Sequence, residues 1–291
     1  MLDPNRIDQM RNALNSIESS FDLSQEIKND PISLVLTFRK KEDQEVAALI
    51  TAVFSYGNVK QIQNILEKIF LITGPSPARK LRETSSRRWK TLIPKNFKHR
   101  FNTAEDLGIL FSWIGEVLRK YRSLEDFFWD QPHDGDIRGK LENFADRMTR
   151  LPADGYKIPK SKGPRFFFPK PSGKSACKRL LLFLRWVAGT GPMDLGIWKD
   201  FPRDQLVIPV DTHVLRISRH LGFTKRIDSS WVSAVEITNA LKNLDPDDPT
   251  RFDFALCHLG ISKECPSRFD LKICRRCRMN NLCLTYAKSA H

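Results

Sequence analysis

The sequence predicts an all-α fold on three observations. Apolar residues recur at helical spacing along most of the chain, alternation of β-branched residues is nowhere sustained, and capping residues stand ahead of the periodic segments. At 291 residues the chain has room for one large domain or two smaller ones, each with a real core. Its hydrophobic content of 41% and charged content of 28% are ordinary, but its net charge of +14 is not. Such an excess points to a polyanionic partner, most often nucleic acid. No apolar run approaches the roughly 20 residues that span a bilayer. The N-terminus lacks the apolar stretch of a signal peptide, so a reducing cytoplasm, near the nucleoid, is the expected location.

In chain order, residues 1–42 are expected to form helices that pack with the C-terminal part of the chain. Residues 43–200 form a central helical lobe. From Asp43 to Ile72 apolar residues fall at Val46, Leu49, Ile50 and Val53, then at Ile62, Ile65, Leu66 and Ile69, with a turn at Ser55–Asn58. Thr103 is placed to cap the next helix, with Asp106 in its first turn and a stripe from Leu107 through Leu118 to Tyr121. Residues 201–262 contribute C-terminal helices, one opened by Ser230 with Val232, Val235, Ile237 and Leu241 mostly facing inward. Residues 263–291 form a cysteine loop.

Within the central lobe, residues 156–174 break the helical pattern. Lys157, Lys160, Lys162, Arg165, Lys170 and Lys174, with Lys178 just beyond, run without an acid among them, and Pro159, Pro164, Pro169 and Pro171 prevent a long helix. Phe166, Phe167 and Phe168 lie between the cations. Basic residues interleaved with aromatics suit phosphate contact and base stacking; the alternative is a solvated linker whose phenylalanines dock on the core.

Cys265, Cys274, Cys277 and Cys283 follow the pattern C-x8-C-x2-C-x5-C. Four thiolates in one short loop can wrap a compact inorganic centre, either a [4Fe–4S] cluster or a tetrahedral zinc. Zinc sites more often show two close cysteine pairs, and here only Cys274 and Cys277 form one, which favours the cluster. Cys177 and Cys257 sit in apolar helical contexts and read as small core residues.

Ile208-Pro209-Val210-Asp211-Thr212-His213-Val214-Leu215-Arg216 sets one acid between an apolar approach and a helix. By itself Asp211 is an N-cap. Followed by Phe254-Ala255-Leu256-Cys257-His258-Leu259-Gly260 and the cysteine loop, this stretch resembles endonuclease III and its relatives, the helix-hairpin-helix DNA glycosylases. Glu45 to Asn58 is similar to the early helix and base-flip loop of that superfamily. Nearly the whole chain resembles a branch of it known mainly as a conserved domain of unknown function.

The resemblance implies a two-lobed glycosylase fold, a [4Fe–4S] cluster on Cys265, Cys274, Cys277 and Cys283, and duplex DNA with a damaged base as partner to a monomer. Asp211 would be the catalytic carboxylate in base-excision repair, acting on a nucleotide flipped out of DNA held between the lobes. Two departures matter. The first cysteine gap, eight residues, is longer than in endonuclease III. The superfamily hairpin, Leu-Pro-Gly-x-Gly-x-Lys-x-Ala, falls by counting back from Asp211 on Val187 to Asp194, within a hairpin segment spanning 175–199. Gly189 and Gly191 then supply backbone amides to a phosphate, but Met193 takes the lysine position.

A replacement amine is expected from the segment before the hairpin: Lys178, or more weakly Lys174. The archaeal 8-oxoguanine glycosylases look comparable, with their lysine far upstream of the aspartate, and oxidised purines are the first substrates to consider. Lys162, Arg165, Lys170, Arg275 and Arg276 are the expected phosphate contacts. With an amine nucleophile the enzyme is also an AP lyase; with water it is a hydrolase alone. The competing reading is a non-catalytic module of glycosylase-like fold that binds damaged or structured DNA or RNA.

Overall fold

The structure is a computed structural model that describes residues 3–130, 135–160, 162–173 and 175–289. It is all-α: among the described residues are sixteen α-helices and one two-stranded antiparallel ribbon, Lys98–His99 with Asn102–Thr103. None of these helices is long and apolar enough to cross a membrane. The chain forms two compact units, one of Met1–Glu26 with Lys174–His291 and the other of Ile27–Gly173.

In the Ile27–Gly173 unit, the helix Lys41–Phe54 is buried along nearly its whole length, including its acids Asp43 and Glu45. A buried carboxylate needs hydrogen-bond donors, and these two find them at the open ends of other helices. Asp43 Oδ1 accepts from the Ala78 amide at 3.0 Å, at the start of the helix Pro77–Glu83. The Glu45 oxygens each accept at 2.9 Å from the amides of Leu124 and Glu125, at the start of the helix Leu124–Trp129. The chain turns at Ser55–Asn58, as the sequence predicts, and the Asn58 side chain caps Val59–Thr73. Thr103 and Asp106 close a reciprocal capping box on Ala104–Lys120. That helix crosses Pro77–Glu83 so closely that a methyl group on Gly115 would lie 2.5 Å from the Leu81 carbonyl oxygen.

Among its described residues the proline-rich stretch holds one short 3-10 turn, Gly163–Phe167. Phe167 and Phe168 are buried, so the docking alternative applies to these two rings, whereas Phe166 is only partly covered.

In the other unit, the helix Pro4–Ser19 buries Met10, Leu14 and Ile17 completely. Arg6 ties it to the C-terminal region through the Leu282 carbonyl at 2.8 Å, and Arg11 through the Leu244 carbonyl at 2.6 Å. Lys178–Ala188, Thr212–Leu221, Trp231–Lys242 and Asp253–Ile261 supply most of the remaining core. Ser230 caps its helix as expected, but Val232, in that helix's first turn, is 51% exposed and not inward. Residues 175–199 belong to this unit and not to the central lobe. The buried Arg185 bonds both Asp194 and Asp253, which anchors the segment to the C-terminal helices.

Candidate active site and cysteine centre

The chain from Leu206 to Val210 is buried and outside any helix or strand, and the Ile208 amide donates to Thr238 Oγ1 at 3.1 Å. It delivers Asp211 to the start of Thr212–Leu221. There Asp211 Oδ1 accepts from the His213 and Val214 amides at 2.8 and 2.9 Å, which is the cap the sequence predicts. Its other oxygen, Oδ2, lies 3.3 Å from Lys178 Nζ. One oxygen is thus fixed by the helix and the other is aimed at an amine. The side chains stay 20% exposed for Asp211 and 40% for Lys178, so a ligand can reach both. Burial pushes the Asp211 carboxyl up, but the Lys178 charge and the Val214 amide outweigh burial and hold it below its ordinary value.

Lys178 is the first residue of Lys178–Ala188. The residue before it, Cys177, is fully buried and takes the left-handed conformation at φ 53° and ψ 27°. A non-glycine residue there costs roughly 1 kcal/mol or more, so the surrounding structure must hold the turn. One such restraint is the Ala176 amide, which donates to the Ser229 carbonyl at 3.1 Å. Lys174 lies outside the described residues.

The glycine turn differs from a helix–hairpin–helix. No helix directly follows Gly189 and Gly191; the next helical turn is the 3-10 segment Arg203–Gln205, and the next α-helix is Thr212–Leu221. The Gly189 amide donates to the Arg185 carbonyl at 2.7 Å and the Gly191 amide to Asp194 Oδ2 at 2.8 Å. Both are therefore committed within the chain, and the expectation that they hold a phosphate is corrected. The Thr190 amide and hydroxyl likewise turn to Asp248. Met193 is buried.

Behind this turn lies an ionic cluster that the sequence did not reveal. Arg185 donates to Asp194 Oδ1 at 2.9 Å and to Asp253, and all three side chains are almost wholly buried. Burial raises the Asp194 carboxyl and pushes Asp253 up to about 6, against the lowering effect of Arg185. The available signal was faint: Asp253 directly precedes the Phe254–Gly260 stretch, but its partners are distant in sequence.

Helices Thr212–Leu221 and Asp253–Ile261 meet where Gly260 faces His213. A methyl group on Gly260 would lie 2.6 Å from His213 Nδ1. At the far end of Thr212–Leu221, His220 meets the cysteine loop at Cys265. Cys265, Cys274, Cys277 and Cys283 line one cavity together with His220, Phe269 and Tyr286. Burial pushes the Cys265 thiol up to about 11 and raises that of Cys277. Such thiols become ligands when a metal displaces their protons, and four soft donors around one hollow fit a [4Fe–4S] centre or a zinc ion. Among the described residues, no group of three or more His, Cys, Asp or Glu side chains is already drawn together around a single ion position. Arg216 Nη2 donates to the Cys265 carbonyl at 2.9 Å, and Arg216 Nη1 to Ser267 Oγ at 3.0 Å.

The other expected phosphate contacts are mixed. Arg275 and Arg276 are exposed on the cysteine loop, and Lys162 is exposed in the Ile27–Gly173 unit. In that same unit Arg165 Nε donates to the Pro159 carbonyl at 3.0 Å, and Lys170 pairs with Asp146. Lys170 is thus partly neutralised by a neighbour.

A family model described as "Protein of unknown function (DUF2400)" matches residues 30–262, a span that includes Lys178 and Asp211 and ends before the first clustered cysteine. No curated protein and no solved structure matches the chain.

Proposed function

The chain belongs to the family described as protein of unknown function DUF2400, and we propose that it is a DNA N-glycosylase of helix-hairpin-helix type that removes a damaged base from DNA. The observation that carries this reading is the approach of Lys178 Nζ to within 3.3 Å of Asp211 Oδ2, across a long stretch of sequence. Met193 removed the amine from the position the hairpin pattern prescribes, and Lys178 supplies one beside the carboxylate.

In this mechanism Asp211 stabilises the positive charge that develops on the sugar as the bond from C1′ to the base breaks. Its Oδ2 is also within reach to take a proton from the Lys178 ammonium, leaving an amine that attacks C1′. The base departs and is protonated, the sugar ring opens, and a Schiff base joins Lys178 to C1′. Elimination then cleaves the C3′–O bond, which makes the enzyme a lyase. Where water attacks C1′ instead, an intact abasic site remains.

The net charge of +14 and the exposed Arg275, Arg276 and Lys162 support a phosphate-bearing partner. Cys265, Cys274, Cys277 and Cys283 would hold the [4Fe–4S] centre, whose contribution is to order the loop that presents Arg275 and Arg276. Base removal is routed through Asp211 and Lys178.

The test is borohydride trapping on oligonucleotides that each carry one modified base, oxidised guanine first. A covalent adduct that disappears in Lys178→Gln supports the lyase. Base release without an adduct makes water the nucleophile. Neither release nor adduct on any lesion, with DNA still bound, favours the second reading, a non-catalytic binding module. The inward-facing amides of Gly189 and Gly191 are the observation on that side, since they remove one phosphate contact of the glycosylase hairpin.

A further inference from the structure

His220 stands on the penultimate position of Thr212–Leu221, and its Nδ1 lies 3.5 Å from Cys265 Sγ. Both residues line the cavity that Cys274, Cys277 and Cys283 share. The sulfur is not placed there loosely. The Cys265 amide donates to the Leu259 carbonyl at 2.9 Å, and its own carbonyl receives Arg216 Nη2 at 2.9 Å. With the backbone held on both sides, Cys265 Sγ is presented to the imidazole. Backbone amides reach two other cysteines of the set, that of Tyr286 at Cys283 Sγ, 3.4 Å away, and that of Met279 at Cys277. No substitution removes those donors cleanly, whereas Cys265 is approached by side chains, His220 and the neighbouring Arg216, and His220 stays replaceable with Arg216 kept in every variant.

We infer that His220 donates a hydrogen bond from Nδ1 to the ligand sulfur of Cys265 and thereby sets the reduction potential of the centre the four cysteines hold. The inference rests on the iron–sulfur reading given above. One-electron reduction adds a negative charge that spreads onto the ligand sulfurs. A donor at one sulfur stabilises the reduced state more than the oxidised state, which raises the potential. The same contact requires the tautomer with its proton on Nδ1.

The experiment uses the full chain purified without oxygen, with iron and zinc counted first. Potentiometric titration with dithionite, or photoreduction where dithionite is too weak, is followed by electron paramagnetic resonance for wild type, His220→Phe and His220→Gln. The expected result is a midpoint moved to more negative potential in His220→Phe at unchanged iron content, with His220→Gln in between because its amide still donates. An unshifted midpoint in His220→Phe overturns the inference, as does a wild-type centre that neither reductant can reduce.

Should His220→Phe fail to hold iron, pulsed resonance on wild type labelled with 15N-histidine decides. A weak nitrogen coupling supports a hydrogen bond through the proton. A strong coupling makes His220 a direct ligand and no coupling removes the contact, and either overturns the inference. Zinc without iron removes the underlying reading as well, which separates that failure from the others.

Discussion

Asp211→Asn tests the proposed chemistry most sharply, because the structure separates two roles of one carboxylate. Oδ1 caps Thr212–Leu221 and Oδ2 faces Lys178. Asparagine caps a helix about as well as aspartate, so the cap survives and only the charge is lost. The ion pair with Lys178 is partly exposed, at 40% and 20% of the two side chains, and solvent screening limits it to about 1 kcal/mol or less. For a chain of this size such a loss lowers the melting temperature by roughly 2–4 °C. The chemistry should suffer far more: removing a positioned charge partner from a transition state costs roughly 10²–10³ in rate. DNA affinity should hold or improve, since one negative charge near phosphate is gone.

Asp211→Ala is the companion variant. It loses the cap as well and should cost about 1 kcal/mol more in stability with a similar loss of rate. The assays are single-turnover base release, DNA binding and thermal melting on all three proteins. An Asn variant that releases base at the wild-type rate, with only the Ala variant impaired, would reduce Asp211 to a helix cap and refute the reasoning.

Three further outcomes are expected. Binding to undamaged duplex DNA should weaken steeply with salt, by roughly 10³-fold or more between 50 and 200 mM for six or more phosphate contacts, as read by fluorescence anisotropy; salt-insensitive binding would contradict it. Purified protein should contain about four irons per chain. Cys265→Ser should lose iron and expose residues 263–291 to trypsin while the Ile27–Gly173 unit stays protected. Asp253 carries a carboxyl pushed up to about 6, so the folded chain retains a proton that the unfolded chain gives up as pH rises from about 4 to 6. Its contribution to stability is therefore most favourable below that window and falls across it. Denaturant melts should show that fall in wild type and a shallower one in Asp253→Asn.

Local capping and periodicity were legible in the sequence because they depend on neighbours a few residues apart. Thr103, Asp211 and Ser230 cap the helices their positions suggest, and Asn58, expected only as part of a turn, caps Val59–Thr73. Lys178 was legible as a candidate amine, but its approach to Asp211 depends on a buried segment outside any helix and a left-handed residue, neither of which has a local signature. The glycine turn misled for a related reason. Gly189-Thr190-Gly191 looks like a phosphate-binding loop until Asp194 turns inward to take the Gly191 amide. It turns inward because Arg185, nine residues back along the chain, is also held by the distant Asp253. Phe167 and Phe168 face the same limit, since composition cannot tell a ring that stacks on a base from one that fills a core.

The helix Thr212–Leu221 has ten residues and is thus about 15 Å long, with Asp211 capping one end and His220 touching Cys265 at the other. A rod that short does not bend independently at its two tips. On the proposed function, variants made at the cysteines are expected to disturb the carboxylate through this helix even where a bound metal takes no part in the chemistry. A cysteine mutant that loses activity is therefore no proof of redox catalysis. The informative comparison is between variants that empty the cysteine cavity and variants, such as Gly260→Ala, that displace the same helix with the cavity filled. If both lose activity in the same way, the helix is acting as a ruler between two centres, and the spacing it enforces is what the cysteine loop protects.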